Sequence, residues 1–129
     1  MTRSVSGELH IPVYYEDTDF SSYVYHANYL NYFDRAREEI LGRVKLRDMF
    51  AQGQHFVVKE AQIQYHKPAR HGDVMVIRTR MEFDAVIVHA HHTVHRQSDD
   101  EKLATGHVQI VTVNSRGFPI RFPSDFFAS

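Results

Sequence analysis

The stretch ANYLNYFDRAREEILG, residues 27–42, predicts a single amphipathic helix. Leu30, Phe33, Ala36, the aliphatic stem of Arg37, Ile40 and Leu41 recur at helical spacing, with Asn31, Asp34, Arg35, Glu38 and Glu39 opposite them. One face is therefore buried. Gly42 supplies the stop, because glycine enters the left-handed region at a helix end without steric cost. Residues 44–53 read as a connection with at most a short helical turn.

Outward from this helix, the periodicity changes from 3.6 to 2. Before it, ELHIPVYY (residues 8–15) predicts a first strand with an irregular or edge start at Pro12, followed by a polar strand-to-helix loop, EDTDFSSYVY, at residues 16–25. After it, residues 56–66 put Val57, Ala61, Ile63 and Tyr65 on one alternate face, interrupted at Lys59. Residues 72–83 are cleaner, with Met75, Ile77, Met81 and Phe83 against Arg78, Arg80 and Glu82. Residues 86–96 and 103–114 flank the polar turn at 97–102, which favours antiparallel pairing. The tail, residues 115–129, holds Pro119, Pro123 and four Phe, and is ordered if those rings find a surface.

One helix covers one face of a sheet, so the expected class is α+β: a curved antiparallel sheet of about five strands around one long central helix, with dimerisation burying the remainder. At 129 residues the chain makes one domain, 1–129. Fifteen Lys and Arg against sixteen Asp and Glu argue against nucleic acid or anionic lipid as partners. The absence of Cys fits a reducing compartment, and neither residues 1–7 nor any later run is apolar enough for an export signal or a membrane span. The expected location is the cytoplasm.

Chemistry concentrates in YYEDTDFSSYVYHANYLNYFDRAR, residues 14–37. With DTD at 17–19, VYHANYL at 24–30, AR at 36–37, FVV at 56–58 and KPARHGD at 67–73, it resembles the 4-hydroxybenzoyl-CoA thioesterase family of hotdog-fold proteins, nearest to the Tol-Pal-associated acyl-CoA thioesterases. The similarity covers roughly residues 10 to 114. It implies a hotdog fold and hydrolysis of an acyl-CoA thioester, short-chain aliphatic or aryl, with no cofactor and no metal. It also implies a homodimer or homotetramer with sites between subunits. By position, Asp19 is the catalytic carboxylate, and the backbone N–H of His26 polarises the thioester carbonyl. The physics agrees, since a helix N-terminus offers unsatisfied N–H groups and partial positive charge to a developing oxyanion. Asp19 would act as nucleophile or as general base.

Two departures from the family stand out. Ser21 and Ser22 replace a common Gly pair, and DAVIV at 84–88 lacks basic residues for the CoA phosphates. Arg70, Arg78, Arg80 and Lys67 are the substitutes, with Tyr25 a further substrate-binding candidate. Asp17 reads as a loop-ordering residue. His89, His91 and His95 share a strand face that is solvated or at an interface rather than metal-binding. The competing readings are an acyl-thioester hydratase or dehydratase using the His26 side chain, and a noncatalytic acyl-CoA binding protein.

Overall fold

The computed structural model describes residues 3–127. The sheet contains five long strands, β1 (Arg3–Pro12), β2 (Gln54–Tyr65), β3 (Val74–Phe83), β4 (Ile87–Arg96) and β5 (Lys102–Asn114), and a two-residue β6 (Pro119–Ile120). The strand order is β1-β3-β4-β5-β2, with β6 beside β5, and every pairing is antiparallel. β1 starts earlier than expected and stops at Pro12, opposite Val74. As an edge strand it tolerates the missing donor there.

The helical layer differs from the expectation of one helix. α1 (Asn28–Leu41) is followed, after Gly42 at φ 95°, by α2 (Arg43–Ala51) where a connection was expected. Only Met49 of α2 is buried, so the segment carries little apolar periodicity to reveal it. In α1 the buried residues are Tyr29, Tyr32, Phe33, Ala36, Arg37 and Leu41, whereas Leu30 is 43 % exposed. The apolar stripe is wider than the helix–sheet contact, and Leu30 falls off its edge.

β2 corrects a second expectation. Val57 pairs with Val111, while Ala61, Ile63 and Tyr65 pair with Val108, Gly106 and Ala104. A bulge between Val58 and Glu60 shifts the alternation by one, so Phe56 and Val58 join Ala61, Ile63 and Tyr65 on the inner face, and Val57 turns outward. Lys59, the interruption in the pattern, is the extra residue.

Beneath α1 sits a polar group that the helical pattern did not reveal. His92 is fully buried, stacked on Phe33 with ring centroids 4.3 Å apart and planes 2° from parallel. Its Nε2 lies 3.1 Å from an Arg37 guanidinium nitrogen, and its Nδ1 lies 2.7 Å from Thr79 Oγ1. Arginine only donates, so Nε2 must accept and Nδ1–H donates to Thr79. The ring is held neutral. Burial first, then the Arg37 charge and those of His91 and His107, push its pKa down to about 3. With the folded value below the unfolded value near 6.5, the unfolded chain binds the extra proton. Stability is therefore complete above about pH 6.5 and falls as the pH drops towards 3, by up to about tenfold in the unfolding equilibrium per pH unit. Chemical denaturation between pH 7 and 4 is expected to show this slope, and His92→Gln to flatten it.

The tail does find a surface. Phe122 meets Phe83 at 4.7 Å and stacks near Phe56 at 6.0 Å, while Phe126 is buried and its carbonyl accepts from Lys45 Nζ at 3.0 Å.

Candidate active site

The loop between β1 and α1 folds as a small hairpin. Asp19 N donates to Tyr23 O at 2.8 Å, Thr18 bridges to Val24, and Tyr25 N donates to Asp17 O at 2.9 Å. Its outer arm is tied to the segment before β3: Val24 N donates to Ala69 O at 2.9 Å, Tyr23 bridges to Arg70, and His71 N donates to Ser22 O at 3.3 Å. Short polar residues favour such local closure. Ser22 has φ 68°, in the left-handed region where glycine is at ease.

Asp19 sits near the hairpin tip with its carboxylate exposed in the single chain. Oδ1 accepts from the Ser21 hydroxyl at 2.6 Å and from the Ser21 amide at 2.8 Å. The hydroxyl, and then the amide, hold the Asp19 carboxyl below its usual range. Ser21, noticed in the sequence only as a departure from glycine, is thus the residue that orients the carboxylate. Asp17 orders the loop instead: Oδ2 accepts from Tyr14 N at 2.9 Å, and its carbonyl accepts from Asn28 Nδ2 at 3.0 Å.

At the start of α1, the amides of Asn28, Tyr29 and Leu30 donate to Tyr25 O, His26 O and Ala27 O. Among the described residues the amides of His26 and Ala27 donate to nothing. They are the open donors that an oxyanion needs, at the positive end of the helix. The His26 carbonyl is held by the Tyr65 hydroxyl at 2.8 Å, and the Tyr65 ring lies 5.3 Å from Tyr29. Tyr65 is 39 positions away in the chain. No local pattern could flag it or, equally, the Asn28 contact.

Of the other candidates, Tyr25 packs its ring 4.7 Å from that of His26, and Arg70 stands 5.3 Å over the Tyr23 ring, so both belong to this site. Arg78 and Arg80 do not join them. They project from the sheet face away from α1, where Arg78 pairs with Glu8 and Asp100, and Arg80 with Glu82. Lys67 pairs with Glu101. His89 and His91 share that outer face with His107, whose Nε2 is 3.2 Å from His89 Nδ1.

A family model described as the thioesterase-like superfamily matches residues 13–128. The chain belongs to that superfamily. Among solved structures, this thioesterase-like chain is similar to a probable thioesterase from Bartonella henselae. The two share 32 % identity, with a TM-score of 0.77 and coverage of 92 % of this chain and 98 % of that one. The acyl-CoA thioester hydrolase YbgC of Escherichia coli O6:H1 is 38 % identical over 73 residues, 55 % of this chain and 54 % of that protein. The acyl-CoA thioesterase YbgC of Helicobacter pylori (strain ATCC 700392 / 26695) is 41 % identical over 70 residues, 54 % and 52 % respectively. The match thus spans about half the length of these curated relatives. The family resemblance read from residues 14–37, 56–58 and 67–73 agrees with these relatives.

Proposed function

We propose that this protein hydrolyses the thioester of an acyl-CoA to the free acid and CoA. The observation that carries the reading is an oriented carboxylate, Asp19, on the same short hairpin that leads into two undonated amides at the start of α1. The His26 amide N–H donates to the thioester oxygen as it develops negative charge, where preorganised donors are most effective. Asp19 then attacks the carbonyl and expels CoA as its thiolate, leaving a mixed anhydride that water hydrolyses to the free acid, or instead removes a proton from a water that attacks the carbonyl and displaces the CoA thiolate directly. With Oδ1 held by Ser21, Oδ2 is the oxygen presented for either step. Arg70, beside the loop, is the assigned contact for the CoA phosphates, with Tyr25 against the acyl or pantetheine part. Arg78 and Arg80, already ion-paired on the far face, would reach CoA only across a neighbouring subunit.

The working unit in this proposal is a homodimer or homotetramer of single-domain chains, 1–129, in the cytoplasm. Supporting it, β2 is a long edge strand whose Val57, Val58 and Tyr65 are 42 %, 48 % and 49 % exposed, and the Asp19 loop is open to solvent in one chain. Pairing along that edge would close the site and remove an aggregation-prone border. Thiol release from a panel of acyl-CoAs tests the activity, and light scattering at micromolar concentration tests the assembly. A monomer that turns over at full rate would refute the shared site.

Ser21→Ala gives a pH signature. Removing the hydroxyl lets the Asp19 carboxyl rise towards its ordinary value. Because the ionised form is the active one, the acid limb of kcat/KM is expected to move to higher pH, with a several-fold loss at acidic pH and a smaller one at neutrality.

A further inference from the structure

Two consecutive peptide units open α1 with their N–H groups undonated, among the described residues, and their carbonyls engaged. The carbonyl of the first, Tyr25, accepts from Asn28 N at 2.9 Å, so that unit is fixed from within the turn. The carbonyl of the second, His26, has a longer local bond, from Tyr29 N at 3.4 Å. Its short contact comes from outside the helix, from the Tyr65 hydroxyl at 2.8 Å. A peptide plane held by one long bond is free to tilt, and the phenol supplies the second anchor.

The sheet aims that anchor. Tyr65 is the last residue of β2, pairs with Ala104 of β5, and shares the inner face with Ala61 and Ile63. Its ring meets those of Tyr29 at 5.3 Å and His26 at 6.4 Å, each at a steep angle, and this packing directs the hydroxyl at the first turn. Desolvation raises the Tyr65 phenol above its ordinary pKa, so it keeps its proton and donates throughout the neutral range.

Donation to a carbonyl also changes the far side of the same peptide. The C–N bond is conjugated, so drawing electron density onto the His26 oxygen leaves the Ala27 N–H more positive. Linked hydrogen bonds strengthen one another by roughly 10–30 % in this way. Ala27 itself has helical angles, φ −71° and ψ −20°, and caps the end of α1 where the helix dipole is positive.

We propose that Tyr65 is a positioning residue for thioester hydrolysis: by fixing the His26–Ala27 peptide, its hydroxyl makes the Ala27 N–H a second donor to the thioester oxygen beside that of His26. The inference rests on the thioesterase reading and deepens it, since that reading assigns the oxygen to the His26 amide alone. The gain falls on the transition state, because the oxygen draws on a second donor as it becomes charged.

Tyr65→Phe tests it, removing the hydroxyl while keeping the ring against Tyr29. The residue is 49 % exposed, so the fold is retained. For butyryl-CoA and benzoyl-CoA, kcat and kcat/KM are expected to fall together by about tenfold to thirtyfold with KM nearly constant, short of the roughly 10²- to 10³-fold for a donor removed outright. The acid limb of the pH profile is expected to stay in place, because Ser21 and not Tyr65 holds the Asp19 carboxylate. A loosened hairpin would move it. The second readout is infrared spectroscopy of butyryl-CoA, carrying carbon-13 at its carbonyl, bound to Asp19→Asn protein. Its carbonyl band is expected below the frequency in water, and at least halfway back towards it in Asp19→Asn/Tyr65→Phe. Tyr65→Leu, which also strips the ring from Tyr29, is expected to add a loss of thermal stability to the same fall in kcat.

Wild-type rates in Tyr65→Phe, a loss carried by KM alone, or an unmoved infrared band overturns the inference and leaves the hydrolase standing. A Tyr65→Phe chain that melts as low as Tyr65→Leu assigns the hydroxyl to the fold and also overturns it. Wild-type protein that binds both thioesters and hydrolyses neither removes the hydrolase, while a band that depends on Tyr65 still upholds the two-donor site.

Discussion

Asp19→Asn is expected to lower kcat/KM for acyl-CoA hydrolysis by roughly 10²- to 10⁴-fold, the range found for a positioned acid–base group. The substitution is a clean one. Asn keeps an oxygen for the Ser21 hydroxyl and amide to donate to, so the hairpin tip retains its hydrogen bonds while the negative charge and basicity vanish. The side chain is exposed, so the stability of the fold is expected to be nearly unchanged. Thiol release and a thermal melt measured on the same preparation separate the two effects. Equal rates for the two proteins would take Asp19 out of the mechanism. Asp17→Asn provides the contrast, since Asp17 holds Tyr14 N and stands behind the loop rather than at its tip. A loss of thermal stability larger than for Asp19→Asn is expected there.

Phe33→Ala is expected to be the most destabilising single truncation, at about 3–5 kcal/mol. Phe33 is fully buried, stacks on His92, and lies directly over Gly106 of β5. Deleting the ring leaves a cavity and also uncovers one side of a neutral histidine whose hydrogen bonds depend on dry surroundings. The partner change is Gly106→Ala. A Cβ at Gly106 would overlap the Phe33 ring, so overpacking is expected to cost about 1–3 kcal/mol. The two changes act on one contact and should not add. In a Phe33→Leu background, the Gly106→Ala penalty is expected to shrink, which urea denaturation of the four proteins measures as a coupling energy. Full additivity would show that helix and sheet are not locked at this point.

Much of the architecture was legible in local pattern. The α1 helix, four of the five long strands to within two or three residues, and the alternation of Met75, Ile77, Met81 and Phe83 against Arg78, Arg80 and Glu82 all follow from side-chain periodicity. The candidate site was legible for a different reason. Asp17, Asp19, Tyr25 and His26 lie within ten consecutive residues, so one motif carries them and a short hairpin assembles them.

The chain by itself thus determined the type and order of the main elements and the segment that holds the candidate site, because both depend on neighbours close in sequence. Tertiary structure alone decided that residues 43–51 become a helix, for Met49 is its one buried side chain and the segment has no strong apolar stripe of its own. It alone decided which face Val57 takes, since a single extra residue at Lys59 reverses the alternation and only the pairing with β5 shows on which side of it each residue falls. It also separated Arg70 from Arg78 and Arg80, and it brought Tyr65 to the His26 carbonyl and His92 between Arg37 and Thr79. The Tyr65 and His92 contacts join positions 13 to 55 residues apart, and no period of 2 or 3.6 extends that far.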